Sequence, residues 1–183
     1  MRLFIAVPVV NSVAKNIENW LEKMDIPGKR VRVENLHFTL CFLGERPVKE
    51  INNIKEALRD GLKDKKAFNL SLNGINAFPS KKNPRVLFIE AKKGKEELID
   101  LAQTVERALS FYQRDKPFLP HLTVSRLKDY RDKGDKNDLE SLFLDNKDVE
   151  FGEFKIDQVI LFSSDLRPSG PIYTPQVICP LVD

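Results

Sequence analysis

Cysteine is scarce in this chain of 183 residues, which contains only Cys41 and Cys179. Two cysteines cannot build the disulfide framework of a small secreted protein, and no Cys/His cluster has the spacing of a structural zinc site. Apolar runs are also short, since none approaches the roughly 20 residues that a membrane-spanning helix requires. We therefore expect a cytoplasmic monomer that needs no metal or other cofactor and has no membrane partner.

The apolar N-terminal stretch MRLFIAVPVVN is interpreted as an opening strand rather than a secretory signal, because it contains Pro8 and no small-residue cleavage site follows. The composition, 42% hydrophobic and 31% charged, is that of an ordinary globular protein. The length predicts one domain, residues 1–183, with a buried core. A net charge of +3 is compatible with an anionic partner, although the lysine-rich blocks are most simply solvated loops.

Histidine and threonine are also rare, with two and four residues respectively. Both histidines nevertheless stand in the same H-x-T-aliphatic frame, HFTL at His37 and HLTV at His121. One such frame is most simply explained by a structural histidine. Two frames that contain every histidine of the chain favour a shared function.

The spacing between the two frames, 84 residues, recurs elsewhere in the chain. The tripeptide Leu3-Phe4-Ile5 is repeated as Leu87-Phe88-Ile89 at this distance. The same shift carries apolar positions of 70–78 onto apolar positions of 154–162. One constant offset across several segments predicts an internal duplication, with two interleaved pseudo-symmetric lobes within the single domain.

Local patterns predict an α+β fold with antiparallel or mixed sheets. Ser12 is a candidate N-cap, and Pro47 suits the first turn of a second helix. The segment 131–138 is predicted to be a polar surface loop. The other predicted helices are Glu96–Tyr112 and Asp138–Leu144. The predicted strands are Leu3–Val9, His37–Leu43, Phe68–Phe78, Val86–Ala91, His121–Leu127, Phe154–Phe162 and Ile172–Ile178.

Side chains alternate along a strand, so each H-x-T strand is expected to carry a polar face and an apolar face. The polar faces consist of His37, Thr39 and Cys41 on one strand and His121, Thr123 and Ser125 on the other. If pseudo-symmetric lobes bring these faces to one cleft, two imidazoles can act as general base and general acid. The hydroxyls can bind the oxygens of an anion such as a phosphodiester.

Two other uses of these residues are weaker. Two imidazoles without nearby carboxylates are too few ligands for a metal. Cys41 could be a nucleophile, but a packed, unreactive thiol is the simpler interpretation because no feature of the sequence lowers its pKa.

At these motifs the sequence resembles the two-histidine (2H) phosphoesterase superfamily, and most of all the RNA 2',3'-cyclic phosphodiesterases, also called 2'-5' RNA ligases. The resemblance spans nearly the whole chain. It includes RLFIAV, ENLHFTLCFLGE, FPSKKNPRVLFIE, PHLTVSRL and SSDLRPSGPIY. It implies a bilobal fold around a cleft and metal-independent opening of RNA 2',3'-cyclic phosphates to 2'-phosphates. Fragments of tRNA are one candidate substrate.

By this resemblance, His37 protonates the departing 3'-oxygen and His121 activates water, although the sequence cannot decide between the two histidines. Thr39 and Thr123 would hold the phosphate. Arg126 matches a basic position just after the second motif, but strict alternation places it on the opposite face, so a bulge would be needed. Further candidates are Ser125 and Tyr173 for lining the cleft, and Tyr173, Phe78 and Phe42 for stacking bases, with Phe42 and Phe78 more simply core residues.

Three interpretations remain open. The first is an RNA 2',3'-cyclic phosphodiesterase that also runs the reverse, ligating reaction. The second keeps the chemistry on small cyclic nucleotides or nucleotide-sugar cyclic phosphates. The third is a non-catalytic protein that binds RNA ends, which the intact histidine and threonine pairs disfavour.

Overall fold

The structure, a computed structural model, describes residues 1–112, 117–127 and 136–183. The helices are α1 (Asn11–Lys23), α2 (Ile51–Leu62), α3 (Lys95–Ala108) and α4 (Lys136–Asp145). The strands are β1 (Arg2–Pro8), β2 (Lys29–Arg30), β3 (His37–Glu45), β4 (Phe68–Phe78), β5 (Val86–Ala91), β6 (Leu122–Arg126), β7 (Glu150–Ile156), β8 (Gln158–Arg167) and β9 (Gly170–Pro180).

The strands form two antiparallel sheets, which confirms the predicted α+β class. One sheet has the order β3-β1-β8-β9, and the other has the order β2-β6-β5-β4-β7. The two H-x-T strands therefore belong to different sheets, and β3 lies beside β6 where the sheets meet. A single cluster of buried apolar side chains draws on both sheets and on the helices.

The helices cover the sheets with their apolar faces. Helix α1 buries Val13, Ile17 and Trp20 and packs against β7. It begins at Asn11 and its N-cap is Val10, whose side chain makes no capping bond, so the predicted Ser12 cap was wrong. Helices α2 and α3 pack against each other. None of the described helices is both long and apolar enough to cross a membrane.

Several predicted boundaries differ from the structure. The segment 154–162 is two strands, because the chain leaves one sheet at Ile156 and enters the other at Gln158. Apolar patterning continues across this change of sheet and therefore hides it. Strand β2 was not predicted, and α3 ends at Ala108, four residues before the predicted end. Residues 131–135 of the predicted loop lie outside the described residues, and residues 136–138 belong to α4 rather than to a loop.

A shift of 84 residues carries neighbouring strands of one sheet onto neighbouring strands of the other. The shift carries β3 onto β6 and β1 onto β5, which are neighbours in their own sheets. The registers differ by two residues, since Thr39 pairs with Ala6 whereas Thr123 pairs with Phe88 rather than with Glu90. A slip of two residues keeps every side chain on the same face. The origin of this arrangement in a duplication stays a prediction.

Candidate active site

His37 is the first residue of β3 and follows a short 3-10 turn at Val33–Asn35. Its Nδ1 lies 2.6 Å from the carbonyl oxygen of Asn35. Because a carbonyl oxygen only accepts hydrogen bonds, Nδ1 carries the proton and Nε2 is the atom left for chemistry. Nε2 lies 3.0 Å from Oγ1 of Thr39, so the two polar groups of the first motif are joined directly.

His121 directly precedes β6 and is held in the same way. Its Nδ1 donates to the carbonyl oxygen of Leu119 at 2.7 Å. The accepting carbonyl stands two residues before the histidine, as Asn35 does before His37. The backbone therefore fixes the same tautomer and ring orientation twice, with the proton of the neutral ring on Nδ1 and none on Nε2.

Aromatic rings form the walls around both imidazoles. The ring contacts are Phe4 at 5.0 Å and Tyr173 at 5.3 Å from His37, and Phe78 at 5.1 Å and Phe88 at 5.8 Å from His121. The walls exclude water from much of each imidazole. Phe78 stacks on Phe88 with ring centroids 4.4 Å apart, so it supports His121 as well as closing this side of the site.

Strand β3 contains a β-bulge just after Thr39. Thr39 pairs with Ala6 and Cys41 pairs with Ile5, so two steps along β3 match one step along β1. Leu40 and Cys41 are consequently both buried, with Cys41 1% exposed. The prediction that Cys41 shares the face of His37 was wrong because strict alternation does not hold across a bulge.

Strand β6 contains a bulge at the corresponding place. Thr123 pairs with Phe88 and Ser125 pairs with Leu87. Ser125 is 0% exposed and donates a hydrogen bond of 2.6 Å to the carbonyl oxygen of Pro27. The prediction that Ser125 lines the cleft was therefore wrong, because its hydroxyl faces the interior and is already satisfied.

The bulges return the next residue of each strand to the face of the threonines. On β6 this residue is Arg126, which is exposed, so the bulge that its participation would require is present. On β3 it is Phe42, which is 47% exposed, so the expectation that it is a core residue was wrong. The guanidinium carbon of Arg2 lies 4.9 Å from the centre of the Phe42 ring.

Electrostatic interactions link the two histidines. Burial lowers the pKa of His37, its hydrogen bond to the Asn35 carbonyl opposes this, and the charges of Arg126 and His121 lower the pKa further. Burial also lowers the pKa of His121, opposed by the Leu119 carbonyl and reinforced by Arg126. The two imidazoles and the guanidinium therefore lie close enough for the charge of one to affect the others.

Tyr173 lies on β9 and joins the same group of residues from the edge of the first sheet. Its ring stands edge-on to His37, with an interplanar angle of 90°, and 4.8 Å from Phe4. Burial raises the pKa of the phenol, while Arg126 and Arg2 lower it. Tyr173 thus lies against His37 and within the field of both arginines.

Two features of the site were not predicted from the sequence. The carbonyl oxygens of Asn35 and Leu119 orient the rings, and any residue type can supply a backbone carbonyl. Arg2 over Phe42 was missed because the two residues are distant in sequence and adjacent only through the pairing of β1 with β3. Across the described ranges, no three His, Cys, Asp or Glu side chains are grouped so as to hold a metal ion.

Comparison of the sequence with known proteins identifies clear relatives. The family model described as 2'-5' RNA ligase superfamily matches residues 12–167. A protein of Archaeoglobus fulgidus named RNA 2',3'-cyclic phosphodiesterase is 37% identical over 177 residues, covering 94% of this chain and 96% of the relative. A protein of Aquifex aeolicus with the same name is 34% identical over 179 residues, covering 93% and 90% of the two chains.

Solved structures share the fold over nearly the whole chain. The crystal structure of TT0787 of Thermus thermophilus superposes with a TM-score of 0.80 at 30% identity, covering 99% of this chain and 98% of that one. Escherichia coli LigT complexed with 3'-AMP superposes with a TM-score of 0.78 at 22% identity, covering 100% and 98%. The second likeness is evidence for the fold alone.

Proposed function

The chain belongs to the 2'-5' RNA ligase superfamily and is a phosphoesterase, and we propose that it opens RNA 2',3'-cyclic phosphate ends to 2'-phosphates by acid-base catalysis without a metal. The names of the relatives support the reaction class. The observation that carries the mechanism is the matched pair of histidines, each with Nδ1 bound to a carbonyl two residues back. Both rings thereby offer Nε2 in the same tautomer.

The electrostatic interaction between the histidines suits them to opposite roles. A proton on His121 lowers the pKa of His37, and such an interaction is mutual. The charge of Arg126 adds to this effect on both rings. Such a pair resists double protonation, and one protonated and one neutral imidazole are what concerted acid-base catalysis requires.

In the proposed reaction, His121 Nε2 takes a proton from water while the water oxygen forms a bond to phosphorus. The bond from phosphorus to the 3'-oxygen breaks, and His37 Nε2 gives its proton to that oxygen. The product is a 2'-phosphate with a free 3'-hydroxyl. Supplying acid and base in one step contributes about 10²- to 10⁴-fold to the rate.

Thr39 lies beside the proposed acid, with Oγ1 3.0 Å from Nε2 of His37. In the proposed reaction the Nε2 proton of His37 is directed at the 3'-oxygen rather than at Thr39. The hydroxyl proton of Thr39 is then free to point at a phosphate oxygen. Thr123 is proposed to make the matching contact from β6. The guanidinium of Arg126 is proposed to offset the negative charge of the phosphate oxygens.

The nucleobase of the terminal nucleotide is proposed to stack on Phe42, the exposed ring on the same face as Thr39. Aromatic rings bind unpaired bases with little sequence preference. The reverse reaction, in which an RNA 5'-hydroxyl replaces water, uses the same two histidines and forms a 2'-5' linkage. Tyr173, whose ring stands edge-on to His37, is proposed to line the site.

The test is turnover of an oligonucleotide that ends in a 2',3'-cyclic phosphate, with the products identified by phosphorus NMR. We expect a 2'-phosphate as the sole product and the same rate in excess EDTA. A 3'-phosphate product would contradict the assignment of the leaving oxygen. An RNA that is bound but not turned over would identify a binding protein instead.

A further inference from the structure

A cavity of about 340 Å³ lies directly beside His121 and has no part in the hydrolysis described above. Phe78 and Phe88 form both a wall of this cavity and the ring contacts of His121. Leu119, whose carbonyl orients His121, lines it as well. The cavity and the proposed general base therefore share these two rings, and the volume of the cavity is within the range of small-ligand sites.

The polar groups in the cavity form an organised acceptor. Asn76 Nδ2 donates to Glu90 Oε1 at 3.0 Å, and Asn76 Oδ1 accepts from the backbone N–H of Ala77 at 2.8 Å. The amide is thus held at both ends and in turn holds the carboxylate of Glu90. A carboxylate has about four acceptor positions, so Glu90 can take further N–H donors from a ligand.

A cation also lines the same cavity. Lys95, the first residue of α3, lines it and is exposed. The cavity thus offers an apolar aromatic wall, a carboxylate and an ammonium group. A nucleotide has the matching features, since it carries a flat base, N–H donors on the base edge and an anionic phosphate.

The proposed roles of the two histidines indicate which nucleotide this is. In phosphoryl transfer the entering and departing oxygens lie roughly in line. With the 3'-oxygen departing toward His37, the nucleophile enters from the side of His121, where the cavity lies. In ligation that nucleophile is the 5'-hydroxyl of a second RNA strand.

We propose that this cavity is the acceptor subsite for ligation, and that it binds the 5'-terminal guanine nucleotide of the strand that attacks the cyclic phosphate. This inference rests on the proposed function. The acceptor 5'-oxygen bonds to phosphorus, its proton passes to His121, the bond to the 3'-oxygen breaks, and His37 protonates that oxygen. No other reactant is consumed. Guanine presents two neighbouring N–H donors to Glu90, whereas uracil presents one N–H between two carbonyl oxygens that a carboxylate repels.

The experiment measures how the enzyme divides one substrate between two nucleophiles. The enzyme receives an RNA with a 2',3'-cyclic phosphate end together with an excess of a 5'-hydroxyl dinucleotide, either GpU or UpU. The ratio of 2'-5'-linked product to 2'-phosphate is then recorded. This ratio cancels the steps that transfer and hydrolysis share. We expect GpU to give a ratio about tenfold higher than UpU, as for one well-placed base contact.

Two variants probe the cavity, and a third variant serves as the control. Glu90→Gln should bring the two ratios to within about twofold of each other, because the charge that discriminates between the bases is removed. Lys95→Gln, on the exposed start of α3, should reduce the salt dependence of transfer by about one phosphate contact. Glu97→Gln, on α3 but outside the cavity, should retain the guanine preference of the wild type.

Equal ratios for GpU and UpU in the wild-type enzyme would overturn the acceptor subsite. So would hydrolysis without transfer to either dinucleotide, or an unchanged guanine preference in Glu90→Gln. If the cyclic phosphate is not opened at all, it is the proposed function that fails. The two failures are therefore distinguishable in one assay.

Discussion

The bulge in β6 places Arg126 on the face of Thr123, and replacing Arg126 with glutamine tests its proposed role in the site. Arg126 is exposed on the face of Thr123 and lowers the pKa of both His37 and His121. A hydrogen bond to a charged group contributes about 1.5–3 kcal/mol, so its loss should reduce kcat/KM by about 10- to 150-fold. Removing the positive charge should also raise the pKa of each histidine.

The sign of the pH effect follows from the two roles. The acidic limb of the kcat/KM profile reports the base and the basic limb reports the acid. Since both pKa values rise in Arg126→Gln, both limbs should move to higher pH together. Arg126→Lys keeps the charge and should leave the limbs near their wild-type positions while still losing the forked contact.

The assay is kcat/KM for a 2',3'-cyclic phosphate substrate across the pH range, at fixed ionic strength. The matched control is Arg85→Gln, an exposed arginine on the chain next to β5 that does not contribute to the pKa shift of either histidine. If Arg126→Gln retains kcat/KM within twofold and its limbs do not move, the reasoning from the bulge is refuted.

Three further changes test the structure around the site. Ser125→Ala leaves the Pro27 carbonyl without its donor and should lower the free energy of unfolding by about 1–3 kcal/mol in urea, whereas exposed Ser110→Ala should change little. Gly28 has φ +87°, and a Cβ there would lie 2.5 Å from the carbonyl oxygen of Arg126, whereas Gly170 has φ +123° and a Cβ there would meet no atom within 4 Å. Gly28→Ala should therefore destabilise the protein more than Gly170→Ala. Equal effects would mean that the close approach is unimportant. Phe42→Ala should raise KM about tenfold for RNA ends through lost stacking, while Phe111→Ala, which removes a similarly exposed ring 4.9 Å from Arg46, should not.

The sequence located the two histidines of the candidate site but not the full geometry around them. The H-x-T frames locate His37 and His121 at the start of strands, because residue type and alternation are local properties. The residues after each threonine were assigned to the wrong face of the strand for one reason. A bulge in each strand shifts the alternation, so Cys41 and Ser125 turn inward while Phe42 and Arg126 turn outward.

Features that depend on pairing between distant segments also could not be predicted from the sequence. The chain changes sheet between Ile156 and Gln158 within an uninterrupted apolar pattern, so one strand was expected where two exist. Strand β2 consists of two polar residues, Lys29 and Arg30, which carry no strand periodicity and form a strand only by pairing with β6. The choice between His37 and His121 as acid also remained open, because identical motifs carry identical local information.

We propose that His37 and His121 act as one acid-base pair on a cyclic phosphate. The most direct measurement is single-turnover cleavage of a 2',3'-cyclic phosphate RNA by His37→Ala, His121→Ala and the double variant, with folding checked by circular dichroism. Each single variant should lose at least about 10²-fold in rate, and the double variant should lose much less than the product of the two losses. A folded single variant with wild-type turnover would contradict it.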